Sequence, residues 1–329
     1  MPPRPLPCAP RRILLIHFGQ MGDAVMALPA AQALRANYPA ASLTVLAGRS
    51  GAEIFRLAGF APVWSVDRRA WRAAPARAAA ELPVLLARLR RERFELSVDL
   101  HTYKETNLLA WAAGIPARVA MLRPTRSWPW LITHRPPQDE PAEHLLRRYC
   151  RVLEPLGIAV NDRQPRLAPP SEARAWAEEA LPPESRWLGI CPGAGHPSRR
   201  WPPERFAAAV AAWSQVRGRR PAVAIFAGPE ESEAELAPLL QLRQARVFTR
   251  LPLARLAAAL ARCHLVLTNA SGPSHIAAAA GAAVVTVGEV PRFDPVGRIT
   301  PVRAPRRVAE VPVAAVVAAL EAAWAAVDE

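Results

Sequence analysis

Between Thr268 and Gly288 the chain reads TNASGPSHIAAAAGAAVVTVG, and this stretch decides the fold. It is preceded by Cys263-His264-Leu265-Val266-Leu267, an apolar run read as a buried strand. The polar elbow Thr268-Asn269-Ala270-Ser271-Gly272-Pro273 follows, and small residues then predict a helix over 274–280. Gly281 closes that helix, and Ala283-Val284-Val285-Thr286-Val287 has the composition of the next buried strand. Strand, elbow, helix and strand make one βα unit and the start of another. Ser271 is an N-cap candidate, and Pro273 falls in the first turn, where a missing N–H costs nothing. Gly272 lets backbone approach a ligand. Such an elbow leaves N–H groups at a helix N-terminus, where a phosphate can be held, and His275 lies one turn in. The same elbow also serves as an ordinary packing turn in a parallel sheet.

Outward from that unit, the alternation continues in both directions. Arg12-Ile13-Leu14-Leu15-Ile16-His17-Phe18 reads as a strand, Gly19-Gln20-Met21-Gly22-Asp23 as a tight turn, and 24–37 as a helix stopped by Tyr38-Pro39. The strand Leu43-Thr44-Val45-Leu46-Ala47-Gly48 completes a Rossmann-type βαβ. The turn carries neither GxGxxG nor GK[ST], so neither a dinucleotide site nor a P-loop is predicted. Asp23 at the strand's C-terminal edge has two readings. It either points into the crevice where such sheets bind ligands or merely complements the helix dipole. Further on, 68–93 is heavily arginine-rich, a solvated face or an attractor of acidic ligands. Residues 123–135 combine arginines with Trp128 and Trp130, either as membrane-interface and ligand-gripping loops do or as packing beneath the domain.

Polar and proline residues over 161–171 read as the linker between two domains, which a chain of 329 residues suits. Beyond it, Trp187-Leu188-Gly189-Ile190-Cys191 is a strand, and the loop 192–202 brings Arg199 and Arg200 beside backbone N–H groups, a diphosphate clamp. A helix is predicted from residue 312 to about residue 327. The expected division is a disordered tail (1–10), a first domain (11–165), a second domain (166–310) and a terminal helix (311–329).

The net charge of +14 points to anionic partners. All basic residues but Lys104 are arginine, which reads as compositional drift rather than selection at each site. No nucleic-acid motif accompanies the charge, so nucleic acid is not an expected partner. The four cysteines form no CxxC pair, which predicts neither a zinc site nor a disulfide framework. No signal peptide and no membrane span are expected.

Three stretches resemble glycosyltransferase family 9, the ADP-heptose:lipopolysaccharide heptosyltransferases. They are ILLIHFGQMGDAVMALPAAQALRANYP, LGICPGAGHPSRRWPPERFAAAV and TNASGPSHIAAAAGAAVVTVG, in the family's order. The resemblance implies a GT-B fold, α/β, with two Rossmann-like domains whose parallel sheets face a cleft. It implies an inverting, metal-independent transfer of a heptose or related sugar from ADP-heptose to a lipopolysaccharide core or similar glycan. Asp23 takes the place of the general base, with Gly22 and Lys104 on the acceptor side. Gly195, Arg199, Glu231, Ser271, Gly272 and His275 take donor-binding places. No cofactor and no metal are implied, and no Asp-x-Asp motif is present. The implied partners are the nucleotide sugar and an anionic glycolipid. The implied location is the cytoplasm, peripheral to a bacterial inner membrane. Two positions depart from the pattern: Arg199 stands for a lysine, and Ala270 for an aspartate that grips the sugar. Ala270 leaves open a diverged, weakly active or non-catalytic nucleotide-sugar-binding protein, and a nucleotide-sugar epimerase is the third reading.

Overall fold

The computed structural model describes residues 6, 9–123, 125–136, 142–216, 221–229, 231–242, 244–288, 291–304 and 306–328. The chain forms two compact units, Met1–Arg163 and Gln164–Glu329. Most of the expected N-terminal tail, Cys8 and Glu230 lie outside the described residues.

The first unit is a five-stranded, wholly parallel sheet. Its strands are β1 (Arg12–His17), β2 (Ser42–Gly48), β3 (Val63–Val66), β4 (Leu96–Asp99) and β5 (Ala117–Ala120), in spatial order β3-β2-β1-β4-β5. The core strands are continuous apolar runs because helices cover both faces of such a sheet. Five of the six residues of β1 are buried. The connections are α1 (Met21–Asn37), α2 (Arg49–Leu57), the pair α3 (Arg68–Ala73) and α4 (Pro75–Glu92), and α5 (Lys104–Ala112). A further helix, α6 (Leu145–Arg151), packs on α1. The arginine-rich segment thus forms two helices, broken at Ala74 and ended by the left-handed Arg93. One of its few buried anchors is Leu89, which joins Leu14, Ile16, Trp64 and Phe94 in the core.

The second unit is a six-stranded parallel sheet. It contains β6 (Trp187–Cys191), β7 (Ala222–Ala227), β8 (Ala245–Thr249), β9 (Leu265–Asn269), β10 (Val284–Val287) and β11 (Ile299–Val302). Their order is β11-β10-β9-β6-β7-β8. Its helices are α7 (Ser171–Ala180), α8 (Pro203–Gln215), α9 (Glu233–Leu240), α10 (Leu253–Arg262), α11 (Gly272–Ala279) and α12 (Val313–Asp328). Trp201, Phe206 and Trp213 are fully enclosed, and Leu320 and Trp324 of α12 close the same core.

In each sheet the chain winds outward from a central strand and then returns to its other side. The order therefore reverses between β1 and β4, and again between β6 and β9. Ligands of doubly wound sheets bind at the C-terminal ends of the strands flanking such a reversal. The loops so positioned are 18–20 and 100–103 in the first unit, and 192–202 and 270–271 in the second.

Three features differ from the sequence expectation. Helix α1 begins at Met21, so Asp23 lies inside its first turn rather than before it. Strands β8 and β11 went unpredicted. Both are edge strands: β8 has a mostly exposed pattern, and β11 contains Pro301, which an edge tolerates.

Candidate active site

At the first reversal, β1 ends at His17 and α1 starts three residues later. Gly19 makes this possible. A Cβ there would lie 2.6 Å from Asp23 Cβ and 2.8 Å from His17 Cε1. Asp23 is half-buried, and its Oδ2 accepts the Gln20 N–H at 2.9 Å. The capping contact is therefore real, and it fixes the carboxylate at the mouth of the sheet. Gly22 beside it is buried.

Behind Asp23 runs a buried polar chain that sequence reasoning missed. His17 Nε2 lies 3.3 Å from the Tyr149 hydroxyl, which lies 3.3 Å from His101 Nδ1. His101 Nε2 lies 2.8 Å from the Tyr103 hydroxyl. Burial lowers the His17 pKa to about 3 and holds His101 well below the usual histidine range, so both rings are neutral near pH 7. The Tyr149 phenol is pushed up by burial and then by the negative charge of Asp23. The one signal in the sequence was a histidine ending an otherwise apolar strand.

Across the reversal, β4 ends at Asp99. Its Oδ1 accepts the N–H groups of His101 (3.0 Å) and Thr102 (2.7 Å). Its Oδ2 accepts from Thr106 Oγ1 and from Asn107 Nδ2 at 2.9 Å. Thr102 is left-handed, φ +55°, and these bonds hold it there. Burial nevertheless raises the Asp99 pKa to about 6. Asp99 is thus the brace of the loop that delivers Lys104, whose Nζ lies 5.6 Å from the Trp128 ring centroid.

At the second reversal, β9 runs two residues further than its apolar run, through Asn269. Asn269 is fully buried. Its Oδ1 accepts the Trp201 N–H at 2.9 Å, and its Nδ2 donates to the Pro192 carbonyl at 2.6 Å. One amide thus pins both ends of the loop 192–201. Ser271 is the N-cap residue of α11, as expected, but its hydroxyl does not cap the helix. Ser271 Oγ is buried without a hydrogen-bond partner, while Ser274 Oγ donates to the Ser271 carbonyl at 2.6 Å. His275 is buried in the same first turn. Ala270 N–H is taken by the Val287 carbonyl at 3.2 Å.

The two clamp arginines separate. Arg200 Nε donates to the Ala194 carbonyl at 3.1 Å, and the guanidinium lies 3.9 Å from Glu231 and 3.6 Å from Glu235. Arg199 is exposed and forms no ion pair among the described residues. Glu231 is only 10% exposed, and its Oε2 accepts the Gly228 N–H at 2.5 Å. A Cβ at Gly193 would lie 2.5 Å from Glu231 Oε1, whereas one at Gly195 would meet nothing within 4 Å. The glycine demanded by packing is Gly193, which the sequence reading passed over.

Among the described residues no three His, Cys, Asp or Glu side chains cluster as a metal site, and Cys150, Cys191 and Cys263 are free thiols. No helix among them is long and apolar enough to cross a membrane.

The sequence model of glycosyltransferase family 9 (heptosyltransferase) matches residues 84–289, well over half of the chain. The chain belongs to glycosyltransferase family 9. The matched region holds the whole second reversal, while the Asp23 segment lies upstream of it. This family 9 glycosyltransferase is 21% identical over 287 residues to the lipopolysaccharide core heptosyltransferase OpsX of Haemophilus influenzae, covering 84% of this chain and 78% of the relative. Its fold matches a family 9 glycosyltransferase from Veillonella parvula with a TM-score of 0.82, at 21% identity, over 96% and 97% of the two chains. It also matches the E. coli heptosyltransferase WaaC solved with ADP-2-deoxy-2-fluoro heptose, TM-score 0.75, at 19% identity, over 94% and 99%. The family 9 fold is accordingly GT-B, two parallel-sheet α/β units.

Proposed function

We propose that this glycosyltransferase moves a heptose, or a related sugar, from ADP-heptose to a lipopolysaccharide core or similar glycan, with inversion at the anomeric carbon. The observation that carries the reading is the start of α11. A helix N-terminus that no side chain caps follows β9 at the sheet reversal, and the Ser271 hydroxyl there is buried and unpartnered. That is the chemistry of a phosphate seat. Family membership and the ADP-heptose analogue in WaaC support adenosine diphosphate as the group seated.

In this mechanism the Asp23 carboxylate takes the proton of the acceptor hydroxyl as its oxygen attacks the anomeric carbon. The bond to the diphosphate breaks on the opposite face, and ADP leaves with the bonding electron pair. Arg199 and the N–H groups at Ser271-Gly272 stabilise the charge that grows on the diphosphate, and Gly195, Glu231 and His275 complete the donor site. Positioned acid–base and charge-stabilising groups each supply about 10²–10⁴-fold. Lys104 and Gly22 belong to the acceptor side. An anionic glycolipid acceptor suits the arginine-rich α3 and α4, and it puts the enzyme at the cytoplasmic face of a bacterial inner membrane, bound peripherally. Salt-sensitive sedimentation with anionic vesicles tests that contact.

The test of the reaction is nucleoside diphosphate release from a panel of nucleotide sugars, with and without lipopolysaccharide-core acceptor. Acceptor-dependent ADP release from ADP-heptose is expected. Ala270 favours a second reading, a diverged binding protein, because the end of β9 offers no carboxylate to the sugar. That protein would bind ADP-heptose and release nothing. An epimerase would turn over donor alone.

A further inference from the structure

In the first unit a cavity of about 430 Å³ opens between α3–α4 and α5. Its walls are Trp71 of α3, Leu82 and Leu85 of α4, and Leu108 and Leu109 of α5, with Phe18, just past β1, among them. The volume falls within the range of about 300–1,000 Å³ typical of small-molecule sites. The lining is almost wholly apolar, so the ligand it suits is hydrocarbon.

The rim is charged. Arg68 and Arg72 border the cavity with Glu105. Arg68 stands 3.6 Å from Glu105 and over the Phe18 ring at 5.5 Å, so these two charges largely offset each other. Arg72 is exposed and forms no ion pair among the described residues. Residues 68–93 together carry eight arginines against two glutamates, and of these Arg68 and Arg72 line the cavity.

The outer surface of α5 continues the apolar character. Leu108 (38% exposed) is followed one turn on by Trp111 (48%), which meets Trp130 (60%) edge-on at 5.7 Å. Trp130 stacks on Trp128 at 6.1 Å, and Lys104 lies over Trp128. A strip of tryptophans edged by cations is what sits at the headgroup level of a bilayer.

We propose that this cavity binds one alkyl chain of an anionic lipid, with the lipid phosphate at Arg72 and the tryptophan strip against the surrounding headgroups. A hydrocarbon lining with the exposed Arg72 at its rim fits an alkyl chain and its phosphate better than a polar peptide. The inference rests on the transferase reading only in taking that lipid to be the acceptor's own anchor. Phe18 follows the C-terminal end of β1, the edge of the first sheet at which Asp23 stands in the first turn of α1, so the chain would enter from that edge.

The test is calorimetric titration of the full chain, without donor, using dodecyl phosphate below its micellar concentration. One saturable site is expected. Butyl phosphate and inorganic phosphate should bind more than about tenfold more weakly, since the alkyl contribution grows with each buried methylene. Leu82→Glu and Leu108→Glu should each weaken dodecyl phosphate more than about tenfold by charging the wall, which apolar burial cannot offset. Both positions are substantially exposed, so the variants should fold, as circular dichroism would check. Val84→Glu is the control, because Val84 is 69% exposed on the same helix and does not line the cavity. Absence of saturable binding, indifference to Leu82→Glu and Leu108→Glu, or equal loss in Val84→Glu would each overturn the proposal. The titration itself reads no turnover, so set beside the donor-release assay the two readings fail separately. An enzyme that transfers sugar but binds no alkyl phosphate sinks the cavity alone, and the reverse result sinks the transferase reading alone.

Discussion

Asn269 Oδ1 accepts the backbone N–H of Trp201 at 2.9 Å across 68 residues of sequence. The same side chain holds the Pro192 carbonyl, so one buried amide sets the shape of the loop in which Arg199 stands. Asn269→Ala strands a buried N–H and a buried carbonyl at a cost of about 1–3 kcal/mol each. Urea denaturation should register a loss of that order, with weakened ADP binding. Asn269→Asp should recover little, because a carboxylate cannot donate to Pro192. Unchanged stability in both variants would refute the brace.

Gly193→Ala forces the Glu231 carboxylate to move, since the new Cβ would approach it at 2.5 Å. Titration with ADP should show affinity reduced by about tenfold or more, roughly 1.4 kcal/mol. Gly195→Ala has room and should bind as the parent does. The opposite ranking of the two variants would mean that Gly195, not Gly193, shapes the loop.

Asp23→Asn keeps an oxygen able to accept the Gln20 N–H and loses the base. Thermal stability should stay within about 1 kcal/mol while turnover falls by about 10²–10⁴-fold. If turnover survives and only stability drops, Asp23 is a helix cap and nothing more.

The two arginines should part company. Arg199→Ala, at an exposed residue without an ion pair among the described residues, should leave stability alone and weaken ADP binding. Arg200→Ala removes contacts to Ala194, Glu231 and Glu235 and should lower stability by roughly 1 kcal/mol. Equal effects of both variants on both measurements would remove the distinction.

Acid should destabilise the first unit. His17, with a folded pKa of about 3 against 6.5 unfolded, takes up a proton on unfolding between those values, and His101 acts in the same sense. Their contribution is complete above pH 6.5 and is lost as pH falls. Asp99, raised to about 6 from 3.8, releases a proton on unfolding over its window and opposes one of them. Asp99 offsets one histidine, so stability should fall with decreasing pH between about 6 and 4, by at most roughly 1.4 kcal/mol per pH unit, the value for one proton. Urea midpoints at successive pH values measure the slope. His17→Gln should flatten it, and a slope that survives that change would assign the effect elsewhere.

The βα alternation was legible because buried parallel strands are uninterrupted apolar runs, as β1, β6 and β9 are. The loops at both reversals could be picked out for the same reason, together with Ser271 at its helix start. What escaped was held by contacts between distant residues. Asn269 looked like part of a polar elbow, and only its bonds to Trp201 and Pro192 make it a brace. Asp99 looked like the end of a strand, and its four donors all come from the following turn and helix. The histidine and tyrosine chain joins residues 17, 101 and 149, which no local pattern relates. Edge strands β8 and β11 carry exposed residues and a proline because each has a neighbouring strand on one edge only.

The winding order also governs how the chain can be made. Ile13 of β1 has its second neighbour in Leu96, and Leu188 of β6 has its own in Leu265, each about 80 residues downstream. During synthesis, then, each central strand waits as an unzipped, greasy margin until the ribosome has delivered β4 or β9. A message truncated before either point would leave a nascent fragment that sticks to its own kind.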